Sequence, residues 1–221
     1  MIKLVVFDWD GTLMDSEARI VTAMQHAFAA AGVAVPPNAA VRDIIGLDLA
    51  VAVMRLAPGL PAAQRSIIVN DYRQHYALLH AIPSPLFEDV QATLTSLTAA
   101  GYLLAIATGK SRRGLDHALH ESGVGEFFAT TRCGEEAAPK PDPAMLRDIL
   151  WDLDVTPEQA LMVGDTEFDL RMAEAARTHA AAVTYGAHPR QRLVALNPAI
   201  VIDALAELPA AVARLNDTTS S

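Results

Sequence analysis

Several short segments of this chain are apolar at nearly every position rather than at every second one: 3–7, Leu103–Thr108, 160–163, 180–184 and 199–202. A strand with one face in water alternates apolar and polar residues. A strand that is apolar on both faces must be covered on both, and a parallel sheet flanked by helices provides that cover. A weaker candidate of the same kind lies at 128–132. Helical patterns fall between the runs, at 90–100, 112–121, 144–153 and Glu167–Ala176. Strand and helix thus alternate along the chain, which predicts an α/β fold, a Rossmann-like doubly wound parallel sheet.

One stretch breaks the alternation. Between 16 and 82 no strand candidate of any strength occurs. Ile20, Ala23, Met24, Ala27, Phe28 and Ala31 recur at three- and four-residue spacing, which predicts a helix. Gly32 follows as its stop signal, and Pro36-Pro37 breaks the chain. A second helix is expected over 39–56 and a third over 62–80, separated by Pro58, Gly59 and Pro61. Pro83-Ser84-Pro85 then reads as a stiff extended connection. The expected organisation is a core of 1–15 and 83–221 carrying an inserted, all-helical domain of 16–82. Ligands bind at the carboxyl ends of the strands in open α/β sheets, so an insertion after the first strand is placed to act as a lid.

Composition narrows the function classes. A chain of 221 residues suits one domain with a modest insertion. With 17 basic against 26 acidic residues and 5% aromatics, it lacks the basic footprint of a nucleic-acid binder. No apolar run approaches the roughly 18 residues of a membrane span, and the N-terminus does not read as a secretory signal. The single cysteine, Cys133, allows no internal disulfide and suits a reducing, cytoplasmic setting; a buried, inert thiol is expected there. The polar segment 216–221 is expected to fray.

Four polar motifs stand at strand ends or in the loops leaving them. The first run ends in Asp8-Trp9-Asp10-Gly11-Thr12. Two carboxylates there need a cation or several hydrogen bonds, although Asp at a turn or a helix cap is also common. Leu103–Thr108 leads into Thr108-Gly109-Lys110-Ser111, which suits a phosphate at a helix start or an ordinary cap. Lys140 stands among Pro139, Pro141 and Pro143, either as a cation on a stiffened loop or as a solvated side chain. Gly164-Asp165-Thr166-Glu167-Phe168-Asp169 places two acids four residues apart across a strand-to-helix turn, a spacing that fits a hard cation or a helix cap with first-turn acids. Taken together they supply a nucleophile, a second carboxylate, a hydroxyl, an ammonium and metal-binding acids. That is the inventory of Mg²⁺-assisted phosphoryl transfer.

In this order and spacing, Asp8-x-Asp10-Gly11-Thr12, Thr108, Lys140 and Gly164-Asp165-Thr166-x-x-Asp169 resemble the motifs of the haloacid dehalogenase superfamily of phosphotransferases. The resemblance covers nearly the whole chain. The helical insertion is similar to the family's small C1-type cap, and the segments around Thr108 and Asp165 are most similar to phosphoglycolate phosphatases. The resemblance implies a Mg²⁺-dependent phosphomonoesterase acting on a small phosphorylated metabolite. Asp8 would form an aspartyl-phosphate, and Asp10 would serve as acid and then base while lending its carbonyl to Mg²⁺. Thr108, Gly109 and Lys140 would hold the phosphoryl group, with Lys140 also balancing Asp8. Asp8 and Asp165 would ligate the metal, supported by Asp169 directly or through water.

Other residues are less determined. Arg112 and Arg113 follow Thr108 and are either solvated or within reach of a substrate carboxylate. Arg42 and Gly46-Leu47-Asp48 lie in the insertion, where a specificity loop could fall, with Asp48 read as surface structure. The histidines show no ligand spacing. Trp9 is expected to pack beneath its loop. A sugar-phosphate mutase is disfavoured by Thr12, where the familiar mutase pattern has Val. A dehalogenase is disfavoured by Asp10. A phosphate-binding protein without catalysis is the third alternative, and the protein is expected to be a monomer or a homodimer.

Overall fold

A computed structural model describes residues 1–79 and 81–219. Six strands form one sheet: β1 Leu4–Phe7, β2 Leu103–Thr108, β3 Thr130–Cys133, β4 Ala160–Gly164, β5 His179–Val183 and β6 Ile200–Ile202. Their order is β3-β2-β1-β4-β5-β6 and every pairing is parallel. This is the expected α/β class. The weak candidate at 128–132 is a strand that starts two residues later, and the run at 180–184 starts one residue earlier.

Alternate residues of the central strands β1, β2 and β4 feed different cores, as the all-apolar runs require. Val5, Phe7, Leu104 and Ile106 face α5 (Val90–Ala99), α6 (Arg112–Ser122) and α10 (Leu208–Thr219). Leu4, Val6, Ala105 and Ala107 face α7 (Ala144–Asp152) and α8 (Glu167–Ala176). The chain moves outward from β1 through β2 to β3, then returns to place β4 on the other side of β1. That reversal opens a crevice at the carboxyl ends of β1, β2 and β4.

Between β1 and β2 the chain inserts α1 (Glu17–Ala30), α2 (Asn38–Arg42), α3 (Leu49–Leu56) and α4 (Ala62–Leu78), with a core of their own that includes Met24, Phe28, Val53 and Ile68. Gly32 ends α1 as expected, with Val33 N–H donating to the Phe28 carbonyl at 3.0 Å. The helix expected over 39–56 is instead two helices. Turns at 43–48 interrupt it, and Asp48 caps α3 by accepting from the N–H groups of Ala50 and Val51. Apolar spacing through Ile44, Ile45 and Leu47 hides that break, because these residues are buried just as helical ones would be. The helix expected over 62–80 ends at Leu78; His80 lies outside the described residues.

At the C-terminal end the expectation of fraying over 216–221 fails within the described part. Asn216 belongs to α10, accepts from Ile2 N–H and donates to the Tyr102 hydroxyl at 3.1 Å. Among the described residues no helix is long and apolar enough to cross a membrane.

Candidate active site

β1 delivers Asp8 to the crevice, and the chain then turns tightly. Leu13 and Met14 N–H both donate to the Trp9 carbonyl at 3.0 Å, and Gly11 N–H donates back to Met14. Trp9 is fully buried beneath this turn, with its indole N–H on the Met14 sulfur, as the sequence suggested. Gly11 is required twice over. Its φ of +87° disfavours any side chain, and a Cβ there would lie 2.3 Å from Asp165 Oδ2. Thr12 donates its hydroxyl to Asp165 Oδ1 at 2.8 Å, tying the β1 turn to the β4 turn. The other Asp165 oxygen accepts from Ala187 N–H at 2.7 Å.

Lys140 does not project from its proline-rich loop as a free cation. It is buried, with Nζ 2.7 Å from Asp8 Oδ1 and 2.6 Å from Asp169 Oδ1. Burial alone would lower its pKa, but the Asp169 and Asp8 charges outweigh burial and hold it above its ordinary value. Asp169 Oδ2 accepts from the Thr166 N–H and hydroxyl, so Asp169 both caps α8 and pairs with Lys140.

Asp8 differs from its neighbours. The Lys140 contact has ion-pair distance without hydrogen-bond direction, so both Asp8 carboxylate oxygens are buried with no hydrogen-bond donor. Burial pushes its pKa well up, and Asp169 and Asp165 push in the same direction, against Lys140. Burial and Asp169 raise Asp165 as well. Asp8, Asp165 and Asp169 are all fully buried, and each offers an oxygen within 4.8 Å of the others. Three buried carboxylates facing one ammonium carry an excess negative charge. All-carboxylate donors with free lone pairs on Asp8 fit a hard divalent cation such as Mg²⁺.

The Asp10 carboxylate points away from this cluster. It accepts from Ser16 at 2.7 Å and from Lys110 at 2.8 and 2.9 Å. Thr108 is buried at the end of β2, where its hydroxyl accepts from Lys110 N–H at 3.2 Å. Gly109 lies directly under the insertion: a Cβ there would come within 2.5 Å of the Leu47 carbonyl oxygen. The Gly46-Leu47 turn is therefore seated on the crevice, and the helical insertion covers it. A second contact ties the two parts. Arg192, on α9 (Arg190–Val194), reaches both Asp43 and Glu167, while the His188 ring accepts from Glu167 N–H and meets the Asp43 carbonyl.

The haloacid dehalogenase-like hydrolase model matches residues 5–183, a span that runs from β1 to β5. The chain belongs to that family. It is similar to the phosphoglycolate phosphatase of Vibrio cholerae, with 32% identity over 94% of this chain and 95% of the relative. The phosphoglycolate phosphatase of Pseudomonas putida is also 32% identical, over 93% of this chain and 78% of its own. Among solved structures, a haloacid dehalogenase-like family hydrolase of Streptococcus pneumoniae matches with a TM-score of 0.83 and 27% identity, covering 95% of this chain and 97% of that one. This protein is a hydrolase of the phosphatase kind, and its helical insertion between β1 and β2 has the position of the family's cap.

The structure brings Asp8, Lys140, Asp165 and Asp169 together and sets Asp10, Thr108 and Gly109 at the same strand ends. Arg112 is not available to a ligand: Glu136, Asp116 and Thr131 hold its guanidinium. Arg113 is exposed, and Arg42 pairs with Glu17 on the cap surface. Cys133 is buried as expected, and burial pushes its thiol up to about 12. Sequence reasoning missed Ser16, Arg19, Tyr76, Lys110, His188 and Arg192. For Lys110 a signal was present, its place two residues after Thr108, but nothing in the sequence pairs it with Asp10.

Proposed function

We propose that the protein is a Mg²⁺-dependent phosphomonoesterase for a small organic phosphate, with phosphoglycolate the leading substrate. The observation that carries this reading is Asp8: a buried carboxylate with two undonated oxygens, 2.7 Å from a buried ammonium. A carboxylate in water would be hydrated and a weak nucleophile. Here burial keeps water away from it, and Lys140 reduces its repulsion from an incoming phosphate dianion. Asp8, Asp165 and the Asp10 carbonyl are the residues that would hold Mg²⁺, with Asp169 in support. The ion, when bound, supplies charge neutralisation for the phosphoryl oxygens.

In the first step an Asp8 oxygen bonds to phosphorus, the ester P–O bond breaks, and the leaving oxygen takes the Asp10 proton. In the second, a water oxygen bonds to phosphorus and gives its proton to Asp10, while the Asp8–phosphorus bond breaks. Thr108, Gly109 and Lys140 orient the phosphoryl group through both. We divide the chain into a core of 1–15 and 83–221 and a cap of 16–82. The chain leaves and re-enters the core side by side, with Asp15 N–H on the Pro85 carbonyl at 2.8 Å and Phe87 N–H on Leu13 at 2.9 Å. Cap closure keeps bulk water from the ester before the first step.

The test is Mg²⁺-dependent phosphate release from phosphoglycolate, sugar phosphates, nucleotides and pyrophosphate, with Asp8→Asn as control. The expected result is preferential release from phosphoglycolate that falls on the order of 10³-fold or more in the variant. Equal activity in Asp8→Asn would remove the nucleophile. Broad weak release would keep the chemistry and discard the substrate.

A further inference from the structure

We propose that Arg19 of the cap, with Lys110 of the core, forms a subsite that reads a carboxylate on the leaving-group side of the substrate. This rests on the phosphatase reading above and names the residues that would select a phosphorylated hydroxy acid over a neutral ester.

The subsite begins at Asp10. A leaving-group oxygen must come within hydrogen-bond reach of the acid that protonates it. The rest of the leaving group then lies close to whatever surrounds the Asp10 carboxylate. Lys110 grips that carboxylate, and Met14 bridges to Asp10 through the backbone. Both residues are also walls of a partly open cavity of about 210 Å³, which Arg19, Tyr76 and Ser84 line as well, with α6 forming another side. Cap, connection and core each contribute to it, so it takes its full shape only with the cap seated.

Its buried cations are not both paired. Lys110 is answered by Asp10. Glu121, at the rim, is 53% exposed, so water rather than Arg19 answers its charge. Arg19 is 8% exposed, yet no carboxylate of the described residues pairs with it. Its Nε and Nη2 donate to a neutral acceptor, the Tyr76 carbonyl, at 3.1 and 2.9 Å. Its Cζ lies 4.6 Å from the Tyr76 ring centroid, and Lys110 Nζ lies 5.2 Å from the same ring. A buried guanidinium without an anion is costly, and an anion delivered by the substrate removes that cost. The phosphoryl group already has Lys140 and Thr108, so the spare cation suits a second anionic group. A further polar atom is unmatched in the same cavity: the Ser84 hydroxyl is buried with no hydrogen-bond partner. One carboxylate, with two acceptor oxygens, would satisfy both Arg19 and Ser84.

The experiment compares kcat/KM for phosphoglycolate, 2-hydroxyethyl phosphate and p-nitrophenyl phosphate in the full-length wild type, Arg19→Met and Arg19→Lys. Wild type is expected to favour phosphoglycolate over 2-hydroxyethyl phosphate. In Arg19→Met that ratio should fall on the order of ten- to a hundredfold, mainly through KM. Arg19→Lys should recover part of it. If all three esters slow in parallel, Arg19 only supports the cap and the proposal fails. A wild type that hydrolyses all three without preferring the carboxylate overturns the subsite but leaves the phosphatase reading intact. No release from any ester overturns both. Should Arg19→Met fail to fold, inhibition of the wild type by glycolate and by ethylene glycol decides: stronger inhibition by glycolate supports the subsite, and equal inhibition refutes it.

Discussion

Asp8 shows how a single residue can be costly to the fold and still be kept. Its two oxygens are buried without donors, and only Lys140 answers its charge. Such a group lowers stability in the absence of a cation. Asp8→Asn should therefore lose turnover while its melting temperature in chelator equals or exceeds that of the wild type; a large drop in melting temperature would show that Asp8 is structural. Cys133 is the opposite case, a reactive group kept quiet by burial. Its thiol is pushed up to about 12, chiefly by burial, so almost none is thiolate near neutral pH. Iodoacetamide at pH 8 should leave the native protein unmodified and alkylate it fully in denaturant. Fast alkylation of native protein would contradict that burial. At this scale the sequence was informative about residue types and silent about pairings. Asp8 and Asp165 stand out as polar groups at apolar strand ends, Lys140 by the prolines around it and Asp169 by its spacing from Asp165. That Asp10 turns to Lys110 while Asp8 turns to Lys140 depends on how three distant segments meet.

Elements were legible where burial has a period. The strands of the sheet and most core helices fall within a residue or two of their apolar patterns, because the central strands fill a core on each face and the helices bury one stripe against them. The turn at 43–48 was not, since Ile44, Ile45 and Leu47 stay buried whether the backbone is helical or turned. That turn brings Leu47 over Gly109. In Gly109→Ala a new Cβ would lie 2.5 Å from the Leu47 carbonyl oxygen, with backbone rather than a mobile side chain in the way. The turn must lift. Overpacking of this kind costs about 1–3 kcal/mol. We expect kcat/KM to fall at least tenfold in Gly109→Ala with a modest loss of stability; unchanged kinetics would mean that the turn is not seated during turnover. The β1 and β4 turns carry a separate expectation. Mg²⁺ should raise the melting temperature of the wild type, because an ion bound only by the folded state stabilises it by mass action. Asp165→Asn should abolish most of that rise, and an equal rise in both would place the ion elsewhere.

For the molecule as a whole, the cap must close over the crevice without being held there permanently. The contacts between Arg192, Asp43 and Glu167 suit that need. Asp43 leads into the turn that covers Gly109, Glu167 lies between Asp165 and Asp169, and Arg192 joins them. One contact thus links the cap turn to the loop of the candidate metal site, with His188 packed alongside. The Asp43 side chain is 45% exposed, so this pair is screened by solvent and is worth about 0–1 kcal/mol. That is too little to stabilise the fold and enough to bias a closing equilibrium several-fold. Arg192→Ala should leave the melting temperature within a few degrees of the wild type and lower kcat/KM up to about fivefold. Raising the salt concentration should move the wild type in the same direction, because screening weakens the same contact. Amide hydrogen exchange separates this from a general loosening. In Arg192→Ala, exchange should quicken over residues 43–48 and stay unchanged in β1 and β4. Equal exchange at 43–48 in both proteins would show that the cap turn is held by packing alone, with Arg192 a surface residue whose pairing has no part in closure.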